Sequence, residues 1–87
     1  MANRVIHSML STVIAKTEST YIIKSEDSDR IEIVPVEKFG RCIFPKDYID
    51  EKGLLKVGVS IQCVRVANGW IYPNHKVYSP VNTLKIK

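Results

Sequence analysis

Residues 59–72 of the chain read VSIQCVRVANGWIY, and this stretch decides the fold class. Apolar and polar side chains alternate through residues 59–67, with a change of phase midway that is typical of a bulged or strongly bent strand. Asn68 and Gly69 follow, and two residues of this kind between β-rich segments predict a tight type I′ turn. Residues 70–72 are the returning strand, so the whole stretch predicts a β-hairpin.

Short segments of the same β-rich kind lie on both sides of this hairpin. Further strands are predicted over residues 11–16, 20–25, 30–36, 41–44, 76–78 and 83–87. Pro35 indicates an edge or a strand end because proline has no amide hydrogen to donate. The one predicted helix begins after Pro45, covers residues 46–52 in about two turns, and ends at Gly53. Five to seven short antiparallel strands with one small helix predict an all-β fold, a small barrel.

The length and composition are those of a single small domain, residues 1–87. Of these 87 residues, 45% are hydrophobic and 25% are charged, which excludes a disordered chain. No apolar segment approaches the roughly 20 residues that a membrane-spanning helix needs, and the N-terminus leads into no secretory signal. We therefore expect a cytoplasmic protein with no membrane partner.

Charge is distributed unevenly along the chain. All nine acidic residues lie within residues 1–51 together with seven basic ones, whereas residues 52–87 hold six basic residues and no acidic one. The net charge of +4 is small, but the acid-free segment also carries Trp70 and Tyr72. This combination favours an anionic partner, provided that folding does not bring the acidic residues back across the segment.

Cys42 and Cys63 are expected to be small hydrophobic residues that stay reduced in the cytosol. A disulfide between them requires a close approach that no sequence pattern indicates. A zinc site would need both cysteines to converge with His7 and His75, and the spacing typical of zinc ligands is absent. We therefore expect no metal and no other cofactor.

Three segments carry a resemblance to a known family. Residues 11–15 (STVIA), residues 40–49 (GRCIFPKDYI) and residues 55–61 (LKVGVSI) look like a first strand, a glycine-led third strand with its following helix, and the approach to a fourth strand. In this order they resemble the S-one-type RNA-binding domain, an oligonucleotide-binding (OB) barrel, and the related bacterial initiation factor one. The chain departs from the family at Ile43, where the family has histidine, and at Val59, where it has an acidic residue. We therefore predict an OB-like barrel, with an SH3-like barrel as the alternative.

The aromatic and basic residues suit non-catalytic binding of RNA or single-stranded DNA. Single-strand binders neutralise phosphates with basic side chains and stack bases on aromatic rings. The resemblance implies that Tyr21 and Arg41 lie on the binding face, which the second and third strands form in the family. The candidate stacking residues are Tyr21, Trp70 and Tyr72, and the candidate basic residues are Lys24, Arg41, Lys46, Arg65 and Lys76.

The core of the barrel is the alternative place for the aromatic side chains. A small barrel needs large apolar groups to fill it, and this favours the core for Phe44 and Trp70. Tyr21 and Tyr72 suit either place, because a phenol has an apolar body and a polar end.

Catalysis is not predicted. Asp47, Asp50 and Glu51 lie close together in the sequence, but acidic residues on a surface helix are usually solvated or stabilise its N-terminus. The glycines are isolated, so no phosphate-binding loop is indicated.

The second functional hypothesis is a protein-interaction module, an inhibitor or regulator that binds a larger intracellular enzyme. Residues 83–87 (TLKIK) alternate apolar residues with lysine, as a protected edge strand does. Residues 1–10 carry apolar side chains at helical spacing, which suit either docking on a partner or closing the barrel.

Overall fold

Five antiparallel strands make up almost all of the regular structure. The computed structural model describes residues 5–39 and 42–78. Its strands are β1 (Val5–Lys16), β2 (Thr20–Ser25), β3 (Ile31–Pro35), β4 (Ser60–Val66) and β5 (Ile71–Pro73). They form one sheet in the order β3-β2-β1-β4-β5, which curls into a half-barrel. The predicted all-β class is confirmed, and the curled sheet is consistent with a small OB-like or SH3-like barrel.

The central strand β1 curls the sheet because it pairs with a different neighbour at each end. Its first part pairs with β4, ending with Thr12 opposite Ser60, and its second part pairs with β2. The register with β2 shifts between Val13 and Ala15, where β1 holds one extra residue. Such a bulge bends a strand and increases its twist, so β1 turns the two halves of the sheet toward one another.

Alternate side chains of the strands point to the concave side and form the core. The buried cluster comprises Met9, Val13, Tyr21, Ile23, Val34, Phe39, Cys42, Leu55, Ile61, Cys63, Ile71 and Tyr78. Two polar side chains are buried with it: the hydroxyl oxygens of Ser11 and Ser25 lie 2.8 Å apart and share a hydrogen bond. Burial of these hydroxyls is tolerated because each has a hydrogen-bond partner.

The segment after Pro45 contains less helix than predicted. One 3₁₀ turn covers Lys46–Tyr48, in place of the two α-helical turns expected. The carboxylate of Asp50 explains the early end, because its Oδ1 accepts hydrogen bonds from the N–H groups of Lys52 and Leu54 at 2.9 and 3.0 Å. Such side-chain bonds offer the backbone an alternative to helix.

The β4–β5 hairpin lies where the sequence predicts it, but its turn is of another kind. The N–H of Gly69 donates to the carbonyl of Val66 at 2.9 Å, and the N–H of Val66 donates to the carbonyl of Trp70 at 3.0 Å. Gly69 has a φ of +96°, whereas none of the described non-glycine residues, Asn68 included, has a positive φ. A type I′ turn needs positive φ at both central residues, so the connection is instead a three-residue loop ending in a left-handed glycine.

Two more predicted strands are corrected. Residues 42–44 form no regular strand. Residues 76–78 lie in a turn in which the N–H groups of Val77 and Tyr78 donate to the carbonyl of Asn74 at 2.9 and 2.8 Å. The Asn74 side chain also accepts a backbone hydrogen bond, as is typical of asparagine in turns. The strand predicted over residues 83–87 lies outside the described residues.

Candidate nucleic-acid interface

Lys38, Trp70 and Tyr72 form a cluster of one cation and two aromatic rings. The Nζ of Lys38 lies 5.0 Å from the centre of the Trp70 ring and 5.6 Å from the centre of the Tyr72 ring. Both distances are within the range of about 6 Å over which a ring attracts an ammonium group. Trp70 is 40% exposed and Tyr72 is half-buried. The cluster therefore presents accessible aromatic surface beside a positive charge.

The alternation of β5 places both rings on the same side of the hairpin. Ile71 and Pro73 are buried against the core, so Trp70 and Tyr72, two positions apart, face away from it. The N–H of Trp70 donates to the Oδ1 of Asn68 at 3.0 Å, which holds the backbone at the start of the returning strand. The expectation that Trp70 fills the core is therefore wrong.

Lys38 reaches the rings from the other end of the sheet. It ends the short 3₁₀ helix Val36–Lys38, which follows directly on β3. The next residue, Phe39, is buried and its ring centre lies 5.4 Å from that of Tyr21. The packing of Phe39 on Tyr21 fixes the position of the chain after β3. Lys38, the residue before Phe39, is thereby held on the side of β5.

Sequence reasoning missed Lys38. Lys38 and Trp70 are 32 positions apart, and no spacing in the sequence indicates that they meet. The contact exists because the sheet curls and brings the segment after β3 close to β5, and a local pattern does not report this.

Arg65 on β4 was predicted to contact phosphates, but its guanidinium is already engaged by two carboxylates. Nε and Nη2 donate to the two oxygens of Asp27 at 2.7 and 3.0 Å, and Nη1 and Nη2 donate to those of Glu32 at 3.1 and 2.6 Å. Nη1 also donates to the carbonyl of Gly69 at 2.8 Å. His7 Nε2 completes the cluster by a hydrogen bond to Asp27. Arg65 is therefore a structural residue that joins the hairpin to the β2–β3 turn and to β3.

The ion pairs change the acidity of the groups that form them. The hydrogen bonds from Arg65 hold the pKa of Asp27 at about 2, against an ordinary value of 3.8, with His7 contributing less. The same bonds raise the pKa of Arg65, those to Asp27 first and those to Glu32 second. Asp27 consequently stays ionised next to a permanent cation. Since Arg65 also pairs with Glu32, it compensates much of the negative charge that folding brings to the hairpin.

Tyr21 was predicted as a stacking residue, and the structure places it in the core. The residue is 2% exposed, its ring packs on Phe39, and its hydroxyl oxygen accepts a hydrogen bond from the N–H of Leu55 at 2.9 Å. Burial raises the pKa of the Tyr21 phenol. A base cannot reach a ring in this position, so the stacking role predicted for Tyr21 is wrong.

No described contact joins the other predicted basic residues to the cluster formed by Lys38, Trp70 and Tyr72. Lys24, Lys46 and Lys76 are exposed. The Nζ of Lys24 donates to the carbonyl of Ser28 at 2.9 Å, which directs it toward the β2–β3 turn. Arg41 lies outside the described residues.

Both cysteines are buried in the core, and the structure has them as free thiols. Burial raises the pKa of Cys42, and it raises the pKa of Cys63 to about 12. Within residues 5–39 and 42–78, no group of three or more histidine, cysteine or acidic side chains is arranged to hold a metal ion. No helix in this part of the chain has both the length and the apolar character to cross a membrane.

Comparison with protein-family models, with curated proteins and with solved structures found no match to this chain. The resemblance to the S-one-type domain therefore stays a prediction from the residues that carry it.

Proposed function

We propose that the protein binds single-stranded nucleic acid, RNA or DNA, without catalysing a reaction. The observation that carries this proposal is the position of the Lys38 ammonium group over the rings of both Trp70 and Tyr72, at 5.0 and 5.6 Å. An aromatic ring can stack on any base, and an adjacent ammonium group can neutralise the phosphate that follows it. The cluster combines these two elements on one side of the hairpin.

The charges around the cluster support an anionic ligand. Within the described residues Lys38 takes part in no ion pair. Asp27 and Glu32, which folding brings to the hairpin, are both paired with Arg65. A phosphate that approaches the rings therefore meets the cation of Lys38, which is unpaired within the described residues. The carboxylates of Asp27 and Glu32 are already compensated by Arg65.

A direct test is titration with a fluorescently labelled twelve-nucleotide oligouridylate or oligothymidylate, followed by anisotropy. We expect micromolar affinity that weakens steeply as salt rises, because binding releases counterions from the phosphates. Trp70 is the single tryptophan of the chain, so base stacking on it also quenches the intrinsic fluorescence of the protein. Trp70→Ala should weaken binding by about tenfold, since one stacked base contributes about 1–3 kcal/mol.

A matched pair of lysine variants separates a specific contact from general charge. Lys38→Met should weaken binding and reduce the slope of log affinity against log salt by about 1. Lys56→Met removes the same charge from an exposed position outside the cluster and should leave most of the affinity. Absence of binding at low salt, or equal losses in the two variants, would contradict the proposal.

A further inference from the structure

The outer edge of β3 carries the two most exposed isoleucines of residues 5–39 and 42–78. Ile31 is 59% exposed and Ile33 is 67% exposed. Glu32, between them, and Val34, after Ile33, face the concave side, where Glu32 binds Arg65 and Val34 is buried. Ile33 lies opposite Ile22 of β2, which is only half-buried, so the apolar surface continues from the edge strand onto its neighbour.

The hydrogen bonding of β3 leaves its edge open. The N–H of Val36 donates to the carbonyl of Ser19 at 2.9 Å. Antiparallel ladders alternate, so Val34 and Glu32 also bond to β2, while the amide and carbonyl groups of Ile31 and Ile33 point away from it. Within residues 5–39 and 42–78, no strand lies beyond β3 in the sheet.

The row of outward side chains on β3 ends in an acidic cavity. After Ile31 and Ile33, the next outward residue is Pro35, which lines a cavity of about 450 Å³. The other residues that line it are Glu18, Ser19, Val36 and Glu37. Glu18 and Glu37 are both exposed, and Glu18 makes only a loose, solvent-exposed ion pair with Lys52 at 3.9 Å. A strand laid along this edge would therefore meet two isoleucines and then two carboxylates.

We propose that the β3 edge binds an extended segment of another protein by adding it to the sheet as an antiparallel strand. The edge amides of Ile31 and Ile33 would bond to its backbone. Residues opposite each other in a sheet share a face, so the segment needs apolar side chains opposite these two isoleucines. The residue two positions before the first apolar one lies opposite Pro35, and a lysine or arginine there complements Glu18 and Glu37. The segment thus has the pattern basic-x-apolar-x-apolar.

This inference is independent of nucleic-acid binding, because it uses no residue of the cluster formed by Lys38, Trp70 and Tyr72. It also differs from the interaction surfaces expected from the sequence, which were the two ends of the chain.

The test is a titration of the full chain, labelled with ¹⁵N, with the acetylated and amidated peptide Arg-Thr-Ile-Thr-Ile-Thr. We expect shifts of the amide resonances of Ile31 and Ile33 that saturate. Replacing the arginine of the peptide by glutamate should weaken binding about tenfold, because it reverses the charge opposite the cavity. N-methylation of the first isoleucine should abolish binding, whereas N-methylation of the threonine after it should not, because only the first of these amides faces β3.

Variants of the protein provide the second arm of the test. Ile33→Lys should abolish peptide binding and retain oligonucleotide binding, while Ile6→Lys, an equal change at an exposed position on β1, should retain both. Failure of the peptide to bind, or equal binding by both N-methylated peptides, would overturn the proposal. Self-association that Ile33→Lys disperses, with no peptide binding, would assign the edge to a second copy of this chain and would also overturn it.

Discussion

Arg65 and Asp27 face each other through two parallel hydrogen bonds, from Nε to Oδ2 at 2.7 Å and from Nη2 to Oδ1 at 3.0 Å. The two residues are 38 positions apart. Because Arg65 also binds Glu32 and the carbonyl of Gly69, one side chain holds β3, the β2–β3 turn and the β4–β5 hairpin together. Arg65, which the sequence suggested as a phosphate contact, thus stabilises the curled sheet.

Arg65→Met should destabilise the protein by about 2–3 kcal/mol. The change leaves Asp27 and Glu32 as neighbouring carboxylates without their cation, and loss of one partner from a partly buried ion pair is unfavourable. Urea unfolding at neutral pH measures the loss. The triple variant Arg65→Met, Asp27→Asn, Glu32→Gln should recover most of it, and an equally large loss in the triple variant would contradict the role assigned to the ion pairs.

The stability of the protein should fall as pH drops from about 4 to about 2. The pKa of Asp27 is lowered from 3.8 to about 2, first by the hydrogen bonds from Arg65. The pKa of Asp50 is likewise lowered to about 2, first by the hydrogen bond from Lys16 at 2.6 Å. The unfolded chain binds protons at a higher pH than the folded one, so protonation favours unfolding over this interval.

Unfolding curves at pH 7, 4 and 2 measure this dependence. Asp27→Asn and Asp50→Asn should each be less stable than the parent at neutral pH and should lose less stability on acidification. If both variants keep the full pH dependence of the parent, other groups must be responsible.

Tyr21→Phe should destabilise the protein by about 1–2 kcal/mol and leave oligonucleotide affinity unchanged. The substitution removes only the hydroxyl group, which leaves the buried N–H of Leu55 without its acceptor. Thermal unfolding and the anisotropy titration measure the two quantities. Tyr72→Phe is the matched control, because that ring is only half-buried. A selective loss of oligonucleotide affinity in Tyr21→Phe would return Tyr21 to the binding surface.

Gly69→Ala should cost about 1–2 kcal/mol of stability, because an alanine at a φ of +96° is strained. A Cβ at this position has no heavy atom within 4 Å beyond its neighbours in the chain, so the loss is conformational and involves no clash. Chemical denaturation measures it, and Gly53→Ala, at a φ of +83° with equally open surroundings, should show a loss of similar size. A neutral Gly69→Ala would show that the hairpin adopts another turn in solution.

Most of the strands could be predicted from the sequence, but not the first half of β1, because the apolar residues of 5–10 have helical spacing and the structure places them in a strand. The strand at residues 20–25 was placed with its observed bounds, and the predicted strand over residues 59–67 differs from β4 by one residue at each end. These segments are recognisable because alternation and β-branched residues are local properties. The helix after Pro45 was overestimated, since the side-chain bonds of Asp50 compete with it.

Of the candidate site, Trp70 and Tyr72 were candidates from the sequence, although the pattern favoured the core for Trp70, which is 40% exposed. Lys38 could not be predicted. The segment after Glu51 has no acidic residue, but its basic character does not describe the folded surface. Arg65, within that segment, is paired with acidic residues from the first half of the chain.

The sequence by itself therefore determined the all-β class, the hairpin after β4 and the aromatic residues that it carries, because each depends on neighbours along the chain. The tertiary structure alone decided that Tyr21 is buried, that Arg65 is bound by Asp27 and Glu32, and that Lys38 lies over Trp70. The physical reason is the curl of the sheet around β1. It brings together side chains more than thirty positions apart, and whether a charge is free or paired depends on those contacts.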